Sequence, residues 1–198
     1  MITRADITGL VLAGGMGRRM GGVDKGLQSF RGHPMIAWSL ARYEPQVGAI
    51  LVNANKNISA YEGFGYPVLL DTIEGYAGPL AGFHTGLGAC KTPYLATIPC
   101  DSPFLPTDLV ERLAGALGGS GADIAVARTG GEAQPVFTLM RTQVFEHLDD
   151  FLRRGGRKID AWYAKLGHAL VDFDDEAEAF VNLNSLDELR LAETGQKP

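Results

Sequence analysis

Between Ile7 and Leu27 the chain runs from an apolar stretch, Ile7–Leu12, into a loop with five glycines before Lys25: Gly14, Gly15, Gly17, Gly21 and Gly22. Arg18 and Arg19 share that loop with the lysine. Glycine has no Cβ, so successive backbone N–H groups can turn inward together. Amides gathered in this way bind anions, and three cations reinforce the same place. The simplest ligand is a polyphosphate. A glycine-rich surface turn beside a solvated basic patch leaves the entropic cost of so many glycines unexplained. Two familiar phosphate loops are excluded. The P-loop needs Gly-Lys followed by Ser or Thr, whereas Lys25 follows Asp24 and precedes Gly26. The dinucleotide fingerprint needs a third glycine or alanine, and Met20 stands there.

Acids that could face such a loop lie at the ends of other apolar runs. Asp71 closes Val-Leu-Leu-Asp, and Asp101 closes Ala-Thr-Ile-Pro-Cys-Asp. Asn53 and Asn55 follow Leu51-Val52. A carboxylate facing phosphates is repulsive unless a cation intervenes. Mg²⁺ is the usual mediator, held by one or two carboxylates plus phosphate oxygens. Asp101 is the first choice of ligand, with Pro99 and Pro103 stiffening its surroundings. Asp71 reads either as a second acid, as an acceptor for a base or ribose, or as a plain turn residue leading into Thr72. Phosphoryl and nucleotidyl transfers leave the protein mainly positioning and charge stabilisation, which Arg18, Arg19 and Lys25 can supply. No activated nucleophile is visible. His33, His84, His147 and His168 stand apart, with no HExxH and no matched Ser or Cys elbow. Each is expected to be a surface or packing histidine, and the second substrate is expected to bring the nucleophile.

The elements that must position these groups follow from patterning. With 198 residues, 45% hydrophobic and 21% charged, the chain fits one globular domain, 1–198, with a polar, frayed tail at 192–198. Net charge is −5, so the basic loop is local. That favours a small anionic ligand and argues against nucleic acid. Cys90 and Cys100 have no metal-clip or CxxC spacing and read as free thiols of a reducing cytoplasm. No signal peptide and no bilayer-spanning run is expected, hence no membrane partner.

Strands are expected at Ile7–Leu12, Ala49–Val52, Val68–Leu70, Tyr94–Ile98, Ile124–Ala127, Val136–Met140 and Ala169–Phe173. Most are short and apolar throughout, as buried parallel strands are. Helical patterns lie between them. One runs from Pro34, as first helical residue, to Tyr43, and a second begins at Pro79. Others span Pro106–Leu117 and the Val144, Leu148, Leu152 repeat, and Ser185-Leu186-Asp187-Glu188 is a capping box. Strands alternating with helices imply an α/β sandwich. The short link between Ile124–Ala127 and Val136–Met140 leaves room for an antiparallel strand. In such sheets ligands bind outside the carboxyl ends of the strands. There Gly14, Gly15, Asn53, Asn55, Asp71 and Asp101 would collect.

Leu-Ala-Gly-Gly followed by Arg-Arg-Met-Gly-Gly-Val-Asp-Lys-Gly-Leu resembles the signature of the molybdenum cofactor guanylyltransferase family. Further matches are Val52-Asn53-Ala54-Asn55, Gly78-Pro79-Leu80-Ala81-Gly82, Pro99-Cys100-Asp101-Ser102-Pro103 and Phe180-Val181-Asn182-Leu183-Asn184, in family order. The resemblance implies a Rossmann-like three-layer αβα sandwich of the nucleotide-diphosphosugar transferase type, with a mostly parallel sheet. It implies transfer of GMP from GTP to molybdenum-loaded molybdopterin, giving the guanine dinucleotide cofactor and pyrophosphate, with Mg²⁺ required. Molybdopterin-delivering proteins of the same pathway are implied partners. By the same resemblance Leu12, Ala13 and Gly14 contact the nucleotide through backbone. Gly15, Arg19, Gly22 and Lys25 cradle the triphosphate. Asn53 and Asp71 are nucleotide contacts, and Asp101 holds the metal. Arg19, Lys25 and Asp101 would be the catalytic set. Gly78 and Gly82 shape the cleft floor towards the acceptor, where Arg157, Asn182 and Asn184 belong. Cytidylyl relatives tend to carry Leu-Ala-Ala-Gly, so Gly14 favours guanine. Two departures stand out: Ser185-Leu186 replaces the family's common Thr-Pro, and Ser102 a common threonine. Rival readings are a nucleotidyltransferase using CTP or a sugar phosphate acceptor, and a nucleotide sensor without turnover. An NAD-type oxidoreductase would lack its fingerprint.

Overall fold

The computed structural model describes residues 1–13, 24–73, 78–180 and 188. Apolar runs become the strands of one sheet, and the central ones bury side chains on both faces. These are β1 (Ile7–Leu12), β4 (Ala49–Asn53), β5 (Val68–Leu69), β6 (Tyr94–Pro99), β7 (Ile124–Thr129), β8 (Glu132–Arg141) and β9 (His168–Asp172). A two-stranded hairpin of β2 (Ser29–Phe30) and β3 (His33–Pro34) stands apart from it. The helices are α1 (Met35–Tyr43), α2 (Ile58–Glu62), α3 (Pro79–Ala89), α4 (Leu109–Ser120), α5 (Phe145–Arg153) and α6 (Ile159–Tyr163). All seven expected strands are present, within a few residues at each end. The short helices α2 and α6 carry too few turns to show a period. Pro34 is not the first helical residue. Its ψ of 141° is extended, it pairs with Ser29 in the hairpin, and Met35 opens α1. The capping box at Ser185 and the tail at 192–198 lie outside the described residues.

Strand order is β5-β4-β1-β6-β8-β7-β9. Pairings β1–β4, β1–β6, β4–β5 and β7–β9 are parallel, while β8 runs antiparallel to both β6 and β7. The sheet is therefore mostly parallel with one reversed strand. Alternate side chains leave opposite faces of a strand. In β1, Ile7 and Val11 enter one apolar cluster and Leu10 another. The first cluster packs Leu40 and Tyr43 of α1, Tyr61 of α2 and Leu113 and Leu117 of α4 against the sheet. The second brings Phe83 and Leu87 of α3, Leu148 and Leu152 of α5 and Trp162 of α6 to the other face. Helix, sheet and helix form three layers. Among the described residues no helix is long and apolar enough to cross a membrane.

One feature of the order decides where a ligand can sit. The chain passes from β1 to β4 on one side, then returns across β1 to β6 on the other. The crevice outside the carboxyl ends of strands opens where the direction of winding reverses. That point is the end of β1, flanked by the ends of β4 and β6. The register sets Leu12, Asn53 and Pro99 side by side there.

Candidate active site

Backbone hydrogen bonds carry the sheet one residue past its strands at this edge. Ala13 N donates to Asn53 O at 2.8 Å, Cys100 N to Leu12 O at 3.1 Å and Ala54 N to Leu69 O at 3.0 Å. Asp101 follows immediately, 7% exposed. On the opposite approach Asp24 leads into a single 3₁₀ turn, Lys25–Leu27, that aims Lys25 at the same place. Lys25 Nζ lies 3.3 Å from Asp101 Oδ2, and both side chains are largely buried. The polyphosphate cation and the acid expected to face it thus meet across the edge. Water is partly excluded there, so the pair is screened less than a surface ion pair.

The lysine's neighbour is clamped. The Asp24 carboxylate accepts from the Tyr61 hydroxyl and, at 2.9 Å, from Asn57 Nδ2. Asn57 sits in the left-handed region at φ 50°, which asparagine tolerates better than most residues. Burial, with the Cys100 thiol and the Asp24 carboxylate nearby, pushes the Tyr61 phenol far above its ordinary range, so it stays a donor. Burial likewise raises the Cys100 thiol well above normal, with Asp101 adding to it. Cys100 is therefore no thiolate nucleophile.

Across the β1–β4 side, Asp71 is held from both carboxylate oxygens. Asn53 Nδ2 donates to Oδ1 at 2.9 Å and Asn55 Nδ2 to Oδ2 at 2.8 Å. Asp71 N in turn donates to Asn55 Oδ1 at 2.9 Å. Each carboxylate oxygen retains a second lone pair for a ligand hydroxyl or amide. Asn53 is 3% exposed and also donates to Leu69 O at 3.2 Å. The α3 helix presses on it from below. A Cβ on Gly82 would stand 2.5 Å from Asn53 Oδ1 and collide with Leu12 Cδ2. Gly78 caps the same helix at φ 60°, ψ −150°, a conformation that is essentially glycine's alone. Gly82 is thus in close approach to Leu12 and Asn53, whereas a Cβ on Gly78 would meet no atom within 4 Å.

A family model described as the MobA-like NTP transferase domain matches residues 9–169. A protein of Cupriavidus necator named molybdenum cofactor guanylyltransferase is 55% identical, over 98% of this chain and 100% of its own length. A protein of the same name from Ralstonia nicotianae is 54% identical, over 96% of this chain and 97% of its own. The chain belongs to the molybdenum cofactor guanylyltransferase family. It is thereby a member of a family of nucleotidyltransferases. Its architecture agrees with that of a solved structure described as molybdopterin-guanine dinucleotide biosynthesis protein A from Archaeoglobus fulgidus. That structure has a TM-score of 0.78 and 24% identity, covering 94% of this chain and 97% of the other.

Of the family residues found by motif, Leu12, Ala13, Lys25, Asn53, Asp71, Gly82 and Asp101 gather at this edge, and Gly78 caps the helix that carries Gly82. Gly14, Gly15, Arg18, Arg19 and Gly22 of the glycine-rich segment lie outside the described residues, as do Asn182 and Asn184. Arg157 lies beyond the end of α5, and its guanidinium donates to Leu152 O at 3.0 Å and Gly156 O at 2.7 Å. The first of those bonds reaches a carbonyl in the last turn of α5, a capping role open to basic side chains. No group of three or more His, Cys, Asp or Glu could hold a metal among the described residues. Mg²⁺ does not need one. It binds through one or two carboxylates when phosphate oxygens and water complete its shell. Asp101, a hard oxygen donor at the strand end beside Lys25, fits that pattern.

Asn55 was expected at this edge, and Asp24 stood inside the quoted signature without a role of its own; the structure gives them Asp71 and Tyr61 with Asn57 as partners. His84 gave no signal. Nothing in its neighbours told that it would face Asp149 at 3.1 Å and Thr72 at 3.2 Å rather than pack as an isolated ring.

Proposed function

We propose that residues 1–198 act as one nucleotidyltransferase domain that transfers GMP from GTP to the terminal phosphate of molybdopterin, releasing pyrophosphate. The observation that carries this reading is the Lys25–Asp101 pair at the β1–β6 edge, in a chain whose sequence between Ala13 and Asp24 is rich in glycine and carries Arg18 and Arg19. The names of relatives more than half identical over nearly the whole chain support the guanylyl donor and the pterin acceptor. We place the reaction in the cytoplasm, where GTP is made.

On this reading the loop amides with Arg19 and Lys25 hold the triphosphate. Asn53 and Asp71 receive the nucleoside, and Gly78 and Gly82 keep the floor low enough for it to enter. An oxygen of the acceptor phosphate bonds to the α-phosphorus while the α–β bridging bond breaks, and its electron pair leaves with pyrophosphate. Lys25 and Arg19 stabilise that departing charge, an effect that costs no reorganisation when the donors are already placed. Mg²⁺ held by Asp101 would supply further charge neutralisation at the phosphates. Arg157, Asn182 and Asn184 are assigned to the acceptor side. The donor of molybdopterin is a protein of the same pathway.

The deciding experiment combines purified protein, molybdopterin, Mg²⁺ and each nucleoside triphosphate in turn, and measures pyrophosphate and the dinucleotide product. Product with GTP at a rate well above that with CTP is expected. Preference for CTP overturns the guanylyl assignment, and nucleotide binding without pyrophosphate release under any acceptor favours a sensor.

A further inference from the structure

The buried polar histidine beneath the site has partners that packing alone does not require. His84 lies on α3, 9% exposed, with its ring 4.8 Å from that of Phe145. Its Nε2 is 3.1 Å from Asp149 Oδ1 on α5, and Asp149 Oδ2 accepts from Arg153 Nε at 2.9 Å. A carboxylate only accepts, so the proton sits on Nε2. Nδ1, 3.2 Å from Thr72 Oγ1, then accepts from that hydroxyl when the ring is neutral and donates to it when the ring is charged. The contact survives in either state. Thr72 is pinned a second time, because its N–H donates to Thr85 Oγ1 at 3.1 Å.

Thr72 follows Asp71, and it is exposed, so it contributes little to the core. Asn55 takes the Asp71 N–H and Thr85 the Thr72 N–H. Two successive backbone donors are thus fixed from opposite sides, one from beyond β4 and one from α3. An apolar side chain would join α3 to α5 with less desolvation than a His–Asp pair. What such a side chain would not do is reach Thr72.

We propose that His84, oriented by Asp149, is a positioning residue for nucleotide binding: through Thr72 it sets the Asp71 carboxylate against Asn53 and Asn55. The proposal rests on the reading of Asp71 as a nucleotide contact. It also predicts which atom of the ring matters. Nδ1 is the working nitrogen, and Nε2 serves to orient it.

The test compares Thr72→Val, His84→Asn, His84→Gln and Asp71→Ala by calorimetric titration with GTP and Mg²⁺, by KM and kcat, and by thermal melting. Asparagine can place a polar atom where Nδ1 stands, and glutamine only where Nε2 stands. Thr72→Val and His84→Gln are expected to weaken GTP binding about threefold to tenfold, the range for one neutral hydrogen bond. KM should follow, and kcat at saturating GTP should fall by a smaller factor. His84→Asn is expected to recover most of the affinity, and the Thr72→Val/His84→Gln double variant to be no weaker than the worse single one. Wild-type affinity in Thr72→Val and His84→Gln, alongside weak binding by Asp71→Ala, overturns the proposal and leaves the site intact. A lowered melting temperature without loss of affinity does the same, assigning His84 to helix packing. Wild-type affinity in Asp71→Ala instead overturns the nucleotide role of Asp71 on which the proposal stands.

Discussion

Replacing Gly82 by alanine adds one methyl group at the point where α3 passes beneath the ends of β1 and β4. The new Cβ would lie 2.5 Å from Asn53 Oδ1 and would collide with Leu12 Cδ2. Neither neighbour can swing aside cheaply. Asn53 is 3% exposed, and its amide donates to both Asp71 Oδ1 and Leu69 O. Overpacking of this kind costs about 1–3 kcal/mol. Alanine returns about 1 kcal/mol through its better helix propensity. A net loss of roughly 1 kcal/mol should lower the melting temperature by about 2–4 °C for a chain of this size. The functional loss should be larger than the stability loss suggests. Once Asn53 is pushed, Asp71 keeps only its Asn55 partner on the carboxylate, and GTP binding should weaken about tenfold. The control is Gly115→Ala on α4, where a Cβ meets no atom within 4 Å. There the propensity gain stands alone, so the melting temperature should rise by about 2–4 °C and GTP affinity should not move. Differential scanning fluorimetry and calorimetric titration of the two variants side by side make the comparison. If Gly82→Ala melts higher, as Gly115→Ala does, and binds GTP like the wild type, the argument from close approach is wrong.

Asp101→Asn is expected to lower turnover by about a hundredfold or more while changing GTP affinity much less; wild-type turnover at limiting Mg²⁺ counts against its role. Lys25→Ala and Arg19→Ala should each raise the GTP dissociation constant about tenfold to a hundredfold, the range for a charged hydrogen bond, and unchanged titration curves for both would refute the cradle. Tyr61→Phe removes one donor to Asp24 without changing shape. It should weaken GTP binding about threefold, read by the same titration, and a wild-type isotherm would show that the Asp24 clamp does not govern Lys25. Hydrogen bonds from Arg128 and Arg112 hold Asp172 and Asp175 below the usual carboxylate range. A depressed folded value means that their contribution is present above the ordinary carboxylate pKa and is lost as pH falls through the lowered values. Arg128→Gln should therefore flatten the acid limb of a melting-temperature profile below about pH 4, and superimposable profiles would contradict this.

What the sequence determined by itself was local and periodic. Seven apolar runs became seven strands: β1, β6 and β7 bury both faces and read as unbroken hydrophobic runs, while β5 and β9 are only partly buried. The helix at Pro79 was legible because a proline lacks the N–H that a first helical residue does not need. The edge carrying the site was legible too, since chemistry collects at the carboxyl ends of such strands, and Asn53, Asp71 and Asp101 each closed one. The tertiary structure alone decided which of these groups touch. Lys25 meets Asp101 because the order of strands sets β1 between β4 and β6. Asp71 acquires two asparagine partners because β5 lies beside β4. His84 reaches Asp149 and Thr72 through the packing of α3 on α5 and on the residues after β5. Pro34 became a hairpin partner instead of a helix start for the same kind of reason, its pairing opposite Ser29 across a turn. Hydrophobic period is written along a chain, whereas directional contacts between distant side chains exist only after the sheet register has fixed where each one points.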